Sequence, residues 1–287
     1  MGTNTDSPVK TVGVSIDSPT ANKLATILKD TLGVVISPLK KITESKSDLY
    51  IEKMRAKHKF KLEKVDLVER AKLRLFESEV RRQYNLEKIG EKTLDYMEET
   101  ANPPEIDIDW LHHFSHSAQD VSEEKVRDWW AKILAGEAKQ KGSFSRRTID
   151  VLKNLSKEDC ELFEKFSQYV VRSQESSHHF YIRDMDYSSF GGEMFTTEHL
   201  KLCHMGTIMM GSSLTFTLKP NDKYMFHYSG KKSIIENKSE EDILFSIYTL
   251  TEAGSQLLKV ANTQNIQFAD TLKNYLIKLG LTYTDIT

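Results

Sequence analysis

The chain of 287 residues has 40 Lys and Arg against 42 Asp and Glu, which gives a formal net charge of −2. This balance excludes a global electrostatic attraction to nucleic acid or to an anionic membrane, so any such binding has to come from a local patch. Hydrophobic residues make up 39% and charged residues 29% of the sequence. These proportions are typical of a soluble protein with a true core and a long solvated helical part.

The cysteine content indicates a reducing compartment. Cys160 and Cys203, the two cysteines, each lie among apolar residues at helical spacing. Since the N-terminus has no apolar secretory run, two buried thiols and a cytoplasmic location are predicted. No stretch reaches the ~18 apolar residues of a membrane-spanning helix, so integral membrane insertion is not expected.

The N-terminal third predicts a tail followed by long helices. Residues 1–20 are rich in Ser, Thr, Asp and Pro and predict a flexible tail, and residues 21–101 predict a long charged helical region. From Ile42 to Glu99, apolar residues recur at steps of three to five without a Pro, which predicts one long helix or a helical hairpin. The apolar stripe is narrow, which favours helix–helix pairing within the chain or between copies.

Residues 53–82 carry a local excess of positive charge, with basic side chains more than twice as frequent as acidic ones. One interpretation is a contact surface for phosphate groups or lipid headgroups. The other is a solvated helix face with ion pairs one turn apart, such as Asp66 with Arg70 and Glu77 with Arg81. The candidate contact residues are Lys57, Lys61, Lys64, Arg70, Arg74 and Arg81.

Asn102-Pro-Pro104 ends the helical region, because a Pro pair cannot continue a helix, and residues 105–172 predict a central helical core. All three tryptophans lie in this core. Asp109, Ser122 and Ser145 suit the N-cap position at which a helix begins. The side chains predicted to fill the core are Trp110, Phe114, Trp130, Ile133 and Leu134.

Residues 173–287 predict an α+β domain that resembles a winged helix. A predicted helix at 197–209 precedes three strand-like runs, and a turn sequence at 219–222 predicts a hairpin between the first two. The pattern L-T-x-x-G-x-x-L at 250–258 then follows, as it often does in winged-helix domains. The strand-like runs are 213–218, 223–228 and 244–248.

The helix that would read DNA in a winged helix carries Lys201 as its only unambiguous cation. DNA-reading helices present several Arg, Lys, Asn or Gln side chains. The winged-helix-like domain is therefore interpreted as a structural or protein-contact module.

One pair of histidines and one histidine–cysteine pair have spacings that metal binding or catalysis can use. His112 and His116 lie one helical turn apart, as zinc ligands can, and are weak metal candidates, although no H-E-x-x-H motif is present. His199 and Cys203 have the same spacing, but a nucleophile pair needs a third orienting group and a cleft. No phosphate-binding loop, dinucleotide-binding motif or nucleophile elbow occurs, so an enzyme is not favoured and no cofactor or catalytic residue is predicted.

Arg146 and Arg147 stand at a predicted helix N-terminus, where positive charge opposes the helix dipole. Helix stability therefore does not explain their position. They are interpreted as partners of an internal ion pair with Asp107, Asp109 or Glu137. The alternative is contact with an anionic partner or nucleic acid.

The run from Asp109 to Phe163 resembles the central block of two bacterial families, domain of unknown function 2806 and abortive infection alpha. An upstream helix at 81–89 and the late L-T-x-A-G-x-x-L pattern are similar to segments of the first family. This resemblance implies a bacterial or phage-related protein with phage defence by abortive infection as its setting, and it implies no catalytic residues. The matching positions are Asp109-Trp-Leu111, Phe114, Val121-Ser122, Glu124, Trp130 to Glu137, Gly142 to Ser145, Arg147-Thr148, Leu152, Leu155-Ser156, Asp159 and Phe163.

The expected fold is mainly α with a small α+β part: a long N-terminal helix or helical hairpin, a central helical bundle and a C-terminal winged-helix-like domain. The expected function is a non-enzymatic phage-defence protein that acts by self-association or by contact with a protein partner or phage component. The alternative is a nucleic-acid-binding protein that uses the basic helix 53–82 and the winged-helix-like domain. A weaker alternative is a metal-dependent enzyme.

Overall fold

The fold is given by a computed structural model, which describes the following residues: 18–36, 49, 52–53, 56, 66–98, 105–174, 178–183, 185, 197–211, 214–228, 230–261 and 266–286. The chain divides into two compact units, Met1–Ile149 and Asp150–Thr287. The predicted contact residues Lys57, Lys61 and Lys64 lie outside the described residues, as does most of the predicted helix between Ile42 and Asp66.

The described residues of the N-terminal unit form helices joined by turns. Its elements are α1 (Pro19–Leu32), α2 (Leu67–Thr93), a 3-10 turn (Leu94–Tyr96), α3 (Ile108–Ala118), α4 (Glu124–Lys139) and the start of α5 (Arg146–Lys153). Asp107 is the N-cap of α3, since its carboxylate accepts a hydrogen bond from the backbone N–H of Trp110 at 2.9 Å. The prediction of Asp109 as this cap was therefore wrong by two residues.

The core of this unit is built on α3 and α4. Trp110 stacks on Phe114 with ring centroids 5.2 Å apart, and Phe114 meets the edge of Trp130 at 5.1 Å. Ile133 and Leu134 are buried beside them. Aromatic pairs in these geometries add to the free energy gained by burial.

The loop after α4 is held from inside the core. The buried carboxylate of Glu137 accepts hydrogen bonds from the backbone N–H groups of Gly142 at 2.6 Å and Phe144 at 3.0 Å. Trp110 Nε1 donates to the Phe144 carbonyl at 2.7 Å. Gly136 gives the Phe144 ring its space, because a Cβ there would lie 2.7 Å from a ring carbon. The residues of the sequence letters G-E (136–137) and G-S-F-S (142–145) thus form one packing unit.

A buried polar network joins α2 to the turn between α3 and α4. Arg127 donates to Asn85 Oδ1 at 2.6 Å and to the Val121 carbonyl at 3.1 Å, while Asn85 donates to the Gln119 carbonyl at 2.8 Å. Asn85 and Arg127 are both buried. Because buried polar groups cost stability unless they are satisfied, these bonds fix the register of α2.

The C-terminal unit combines helices with an antiparallel sheet. After the end of α5, its helices are α6 (Lys157–Ser167), α7 (Thr197–His204), α8 (Glu252–Leu257) and α9 (Ile266–Lys278). Its strands are β1 (Val171–Ser173), β2 (His179–Ile182), β3 (Leu214–Leu218), β4 (Lys223–Tyr228), β5 (Lys231–Asn237), β6 (Ile243–Thr249) and β7 (Leu281–Ile286).

The seven strands form one sheet in the order β3-β6-β2-β1-β4-β5-β7, and every neighbouring pair is antiparallel. One face of the sheet carries the hydrophobic core of the unit, to which α9 contributes Phe268, Leu272 and Leu276. The opposite face is covered near β2 and β6, where Tyr181 packs against Phe166 of α6.

This sheet contradicts the expected fold of a helical bundle with a small winged-helix-like domain. The hairpin predicted at 219–222 was wrong: a turn is present, with a positive φ of 67° at Asn221, but β3 pairs with β6 and β4 pairs with β1 and β5. Three strands lie between β3 and β4. A turn sequence fixes a change of chain direction, whereas strand pairing is decided by side-chain burial far along the chain.

The L-T-x-x-G-x-x-L pattern also has a physical basis unrelated to a winged helix. Thr251 caps α8 by accepting from the Gly254 N–H at 3.0 Å, and its hydroxyl donates to the Gly206 carbonyl at 2.6 Å. A Cβ on Gly254 would lie 2.0 Å from the backbone oxygen of Thr207. The glycine therefore lets α8 lie directly on the backbone of the turn after α7.

No α-helix in the described part of the chain combines the length and the hydropathy that a membrane span requires.

Candidate functional site

The C-terminal unit has a groove of about 970 Å³ on the sheet face opposite the hydrophobic core. Strands β1, β2 and β4 provide its floor, and α8 with the residues that follow it provides one wall. Its volume lies at the upper end of the range for small-molecule sites. The lining residues are Ser167, Val170, Arg172, His178, His179, Met209, His227, Tyr228, Gly230, Leu250, Thr251, Glu252, Ser255, Gln256, Leu258 and Lys259.

A row of basic side chains crosses the floor of this groove. Arg172 of β1 lies directly opposite His179 of β2 and His227 of β4, and His227 lies opposite Lys232 of β5. Directly opposite residues of antiparallel strands point to the same face of a sheet. We call the three of these side chains that line the groove, His179, Arg172 and His227, the cationic row.

The cationic row has few acidic partners. Among the described residues, Arg172 forms no ion pair with a carboxylate, and its side chain is exposed. His227 Nε2 is in hydrogen-bond contact with Gln174 Oε1, a neutral group. Glu252 is the one acid among the described residues that line the groove, and it accepts a hydrogen bond from Gln256 at 3.2 Å. The positive charge that Arg172 brings to the floor therefore has no described carboxylate as a partner.

The walls of the groove are tied to the sheet by backbone hydrogen bonds. The Leu250 N–H donates to the His179 carbonyl at 2.9 Å, and the Met209 N–H donates to the Thr249 carbonyl at 3.0 Å. On this wall, Met209 is 57% exposed. On the opposite side, the Tyr228 hydroxyl donates to the Gln168 carbonyl at 2.5 Å. The groove is thus formed by well-connected backbone with an apolar wall beside a basic floor.

His179 is electrostatically disfavoured in its charged form. Burial, together with the neighbouring positive charges of Arg172, His178 and Lys259, lowers the pKa of His179 to about 4. Its Nδ1 atom is buried and has no hydrogen-bond partner among the described residues. An unsatisfied buried nitrogen costs free energy, and such groups in native structures often mark functional positions.

The pKa of His179 predicts a pH-dependent stability. Because the unfolded chain protonates this imidazole near pH 6.5 and the folded chain only near pH 4, acidification through this window favours unfolding. Because solvent screens the charge of a partly buried side chain, we expect His179 to lower the free energy of unfolding by about 1 to 2 kcal/mol across this pH window. We expect His179→Gln to lose less stability than the native chain between pH 7.5 and 4.5, measured by urea unfolding. Parallel losses in both chains would contradict this.

The histidines proposed as metal ligands from the sequence lie on a helix surface. His112 and His116 of α3 are exposed, and His116 Nδ1 is 3.4 Å from Gln119 Nε2. Among the described residues, no group of three or more His, Cys, Asp or Glu side chains is arranged to hold a metal ion.

The two arginines at the start of α5 are exposed. Arg146 lies 3.8 Å from Asp109, but both side chains are more than half exposed, so this is a surface ion pair and contributes little stability. Of the other two acids considered as partners, Asp107 caps α3 and Glu137 binds backbone N–H groups. Arg147 is exposed and forms no ion pair with another described residue.

The described part of the basic helix is partly neutralised. Asp120 contacts Arg81 at 3.5 Å and Arg82 at 3.0 Å. Arg70 and Arg74 lie on the exposed first turns of α2. Between them, Lys72 pairs with Glu69. This pattern fits a solvated face with ion pairs better than a continuous phosphate-binding surface.

His199 and Cys203 meet as their spacing suggests, and a third group is present. Cys203 Sγ lies 3.5 Å from His199 Nε2, and His199 Nδ1 contacts the hydroxyl of Tyr181. However, burial raises the pKa of the Cys203 thiol and lowers the pKa of His199, which disfavours a thiolate–imidazolium pair. Neither residue lines the groove. The arrangement supports a packed core cluster rather than a nucleophile.

The groove residues were not predicted from the sequence. They come from separate segments: residues 250–259 supply seven of the sixteen described lining residues, and each of the other segments supplies one to three. One signal was available: in β1 the exposed Arg172 alternates with the buried residues Val171 and Ser173. Such alternation indicates a strand with one polar face, but it does not indicate which other strand lies beside it.

The comparisons with known proteins identify the family. The family model described as "Protein of unknown function (DUF2806)" matches residues 69–273, from α2 into α9. No curated protein and no solved structure matches the chain. The matched region contains the packing unit around Glu137, the Thr251–Gly254 contact and the cationic row. Because the match extends over well more than half of the sequence, the chain belongs to this family of proteins of unknown function.

Proposed function

We propose that this protein is a non-enzymatic binding protein whose C-terminal unit takes up an anionic ligand in the groove. The cationic row carries this proposal, because it gathers basic side chains from three neighbouring strands on the sheet face that lines the groove. The resemblance of residues 109–163 to abortive infection alpha proteins supports phage defence as the setting. In that setting, the protein binds the ligand and thereby signals to a partner.

The chemistry of the lining supports binding rather than catalysis. Arg172 is always charged and donates through a planar fork, which suits oxyanions. His179, whose pKa is lowered by burial to about 4, is neutral at pH 7 and donates one hydrogen bond. The cluster of Cys203 and His199 lies outside the lining, and no metal-ligand cluster occurs in the described residues.

Binding of simple anions tests the proposal. We expect pyrophosphate, citrate or sulfate to raise the unfolding temperature of the protein more than sodium chloride of equal ionic strength does, with binding confirmed by calorimetry. Arg172→Gln removes the central donor of the row and should weaken binding by about 10- to 100-fold.

The matched control is Lys278→Gln, which removes the same charge at the exposed end of α9. It should leave anion binding unchanged. Equal weakening in both variants would indicate general electrostatics, and absence of binding by all three anions would refute the proposal.

A second candidate function is self-association through α2. Its first three turns expose several apolar side chains: Leu67 is 70%, Val68 54% and Leu75 61% exposed. Val68 and Leu75 lie two turns apart on one side of the helix, the spacing by which helices pair. Apolar residues in this arrangement on an otherwise charged helix favour contact with a second copy.

Sedimentation velocity tests this association. We expect the native chain to form oligomers at micromolar concentration and the double variant V68S/L75S to be shifted toward monomer. Both positions are exposed, so the helical circular dichroism should be retained. Ile277→Ser, at an exposed apolar position of α9, is the control and should leave the oligomer intact. A native chain that sediments as a monomer would rule out this candidate.

A further inference from the structure

The wall of the groove that α8 provides has a polar face. Four polar residues of α8 and of the turn after it line the groove at the spacing i, i+3, i+4 and i+7, which places them on one side of a helix. The helical turns continue beyond the end of α8, because the Lys259 N–H donates to the Gln256 carbonyl at 3.1 Å. The four residues are Glu252, Ser255, Gln256 and Lys259.

The two charged residues of this face have opposite charges and stand at its two ends. Glu252 begins α8, and Lys259 follows about 10 Å farther along the helix axis. Both side chains are exposed. Gln256 donates to Glu252 Oε1 at 3.2 Å, which holds the carboxylate on the side of the helix that lines the groove. The wall is therefore acidic at one end and basic at the other, with the Ser255 hydroxyl between them.

Arg172 brings a second positive charge to the basic end. It lies directly opposite His179 in the sheet. Burial is the main cause of the low pKa of His179, and the positive charges of Arg172 and Lys259 lower it further. Each of these two cations therefore lies near the same imidazole. The carboxylate of Glu252 would raise this pKa and does not contribute to it, which agrees with its place at the other end.

The charges of the lining describe the ligand that complements them. Arg172 and Lys259 match two negative groups, and Glu252 matches one positive group. The positive group has to lie about 10 Å from the negative ones, which is the separation of the two ends of the wall. An extended peptide advances by about 3.3 to 3.6 Å per residue, so three residues cover this distance. A tripeptide with an acidic last residue carries two carboxylates and one ammonium, with a net charge of about −1 at pH 7.

The acid in the lining disfavours a ligand that is negative along its whole length. Such a ligand, lying along this wall, would meet Lys259 at one end and the like charge of Glu252 at the other. A peptide instead presents neutral N–H and C=O groups in its middle. The Ser255 hydroxyl lies at that level of the wall and can donate to or accept from such groups.

Building on the proposed function, we propose that the groove is a site for short acidic peptides of about three residues with both termini free. The two carboxylates of the peptide bind Arg172 and Lys259. The N-terminal ammonium donates to the carboxylate of Glu252, and a peptide amide contacts the Ser255 hydroxyl. The protein binds this ligand intact, and no bond is made or broken.

Calorimetric titration at pH 7 and low ionic strength tests this assignment with three probes: alanyl-alanyl-glutamate, its N-acetylated form and trialanine. We expect alanyl-alanyl-glutamate to bind about fivefold more tightly than either of the others. Acetylation removes the ammonium that Glu252 binds, and trialanine lacks the second carboxylate.

Single substitutions assign each charge of the peptide to its side chain. Glu252→Gln should weaken binding of the free acidic peptide about fivefold and leave the acetylated peptide unchanged. Lys259→Gln should remove the preference for the acidic peptide over trialanine. The matched controls are Glu240→Gln and Lys278→Gln, which remove the same charges at exposed positions outside the described lining. They should change neither comparison, and circular dichroism establishes that each variant is folded.

The outcomes separate this assignment from the proposed function. If citrate binds in an Arg172-dependent manner while the free and acetylated peptides bind equally, the assignment fails and the proposed anion-binding function stands. If the peptides, pyrophosphate, citrate and sulfate all fail to bind, both fail. Equal weakening of both peptides by Glu252→Gln would show that Glu252 only supports the wall, and would overturn its assignment to the ammonium.

Discussion

Gly254→Ala is expected to unfold much of the C-terminal unit at temperatures the native chain withstands. The added methyl group would lie 2.0 Å from the backbone oxygen of Thr207 and 2.8 Å from its carbon. A backbone atom cannot move aside as a flexible side chain does, so α8 has to shift. The shift also breaks the contact of Thr251 with the Gly206 carbonyl. We expect a loss of about 3 to 5 kcal/mol in the free energy of unfolding.

Urea unfolding followed by circular dichroism measures this loss. Ser255→Ala is the matched control, since it changes the adjacent residue of the same short helix by a single atom and should cost less than ~1 kcal/mol. Because α8 carries a wall of the groove, Gly254→Ala should also abolish anion binding. A variant with native stability would show that α8 does not lie on the turn after α7.

Glu137→Gln is expected to lower the free energy of unfolding of the N-terminal unit. Each carboxylate oxygen accepts one backbone N–H, from Gly142 and from Phe144. An amide retains one acceptor but turns an N–H donor toward the second backbone N–H. The loss of one charge-assisted bond and the new contact between donors should cost about 2 to 4 kcal/mol. Because Phe144 holds the Trp110 indole, tryptophan fluorescence should change as well.

The control for this change is Glu98→Gln. Glu98 pairs with Lys139 at 2.6 Å, but both side chains are more than half exposed, so the substitution should cost no more than about 0.5 kcal/mol. Unfolding by urea, monitored by fluorescence and circular dichroism, separates the two cases. Equal stability of both variants would mean that Glu137 is not the support of the loop.

Local patterns in the sequence predicted the helices well, because the signals for a helix lie within a few residues of one another. Ser156 and Asp159, which have the three-residue spacing of a capping box, form one at the start of α6. The last helix ends before Gly280, which has the positive φ of a helix stop. The error at Asp107 and Asp109 arose because both acids suit an N-cap and only three-dimensional geometry selects between them.

The sheet could not be derived in the same way. Strand β1 has only three residues, β5 begins with two lysines, and β7 mixes polar and apolar residues after a helix stop. None of these has the strong alternation that marks a strand by itself. Their place depends on partners far away in the chain, and the groove, which lies across β2, β1 and β4, depends on the same partners.

The two glycine patterns can be recognised in the sequence, but the packing contact that requires each glycine is visible only in the structure. The L-T-x-x-G-x-x-L pattern led to a winged helix by analogy, yet its glycine serves a contact of α8 with Thr207. Likewise, the G-E and G-S-F-S letters indicate the family, but the sequence does not show that the Phe144 N–H donates to the Glu137 carboxylate. Both patterns record packing constraints and carry no chemistry of their own.

The position of β6 in the sheet has a kinetic consequence. β6 lies between β3 and β2 and pairs with both. The edge that each of these strands presents to β6 therefore stays unpaired until residues 243–249 have been synthesised. Such long sequence separations slow folding, whereas the mostly local contacts of helices form early. During synthesis, the helical unit can therefore become native while β2 and β3 still expose open edges. Chaperones or aggregation compete for the chain in that interval.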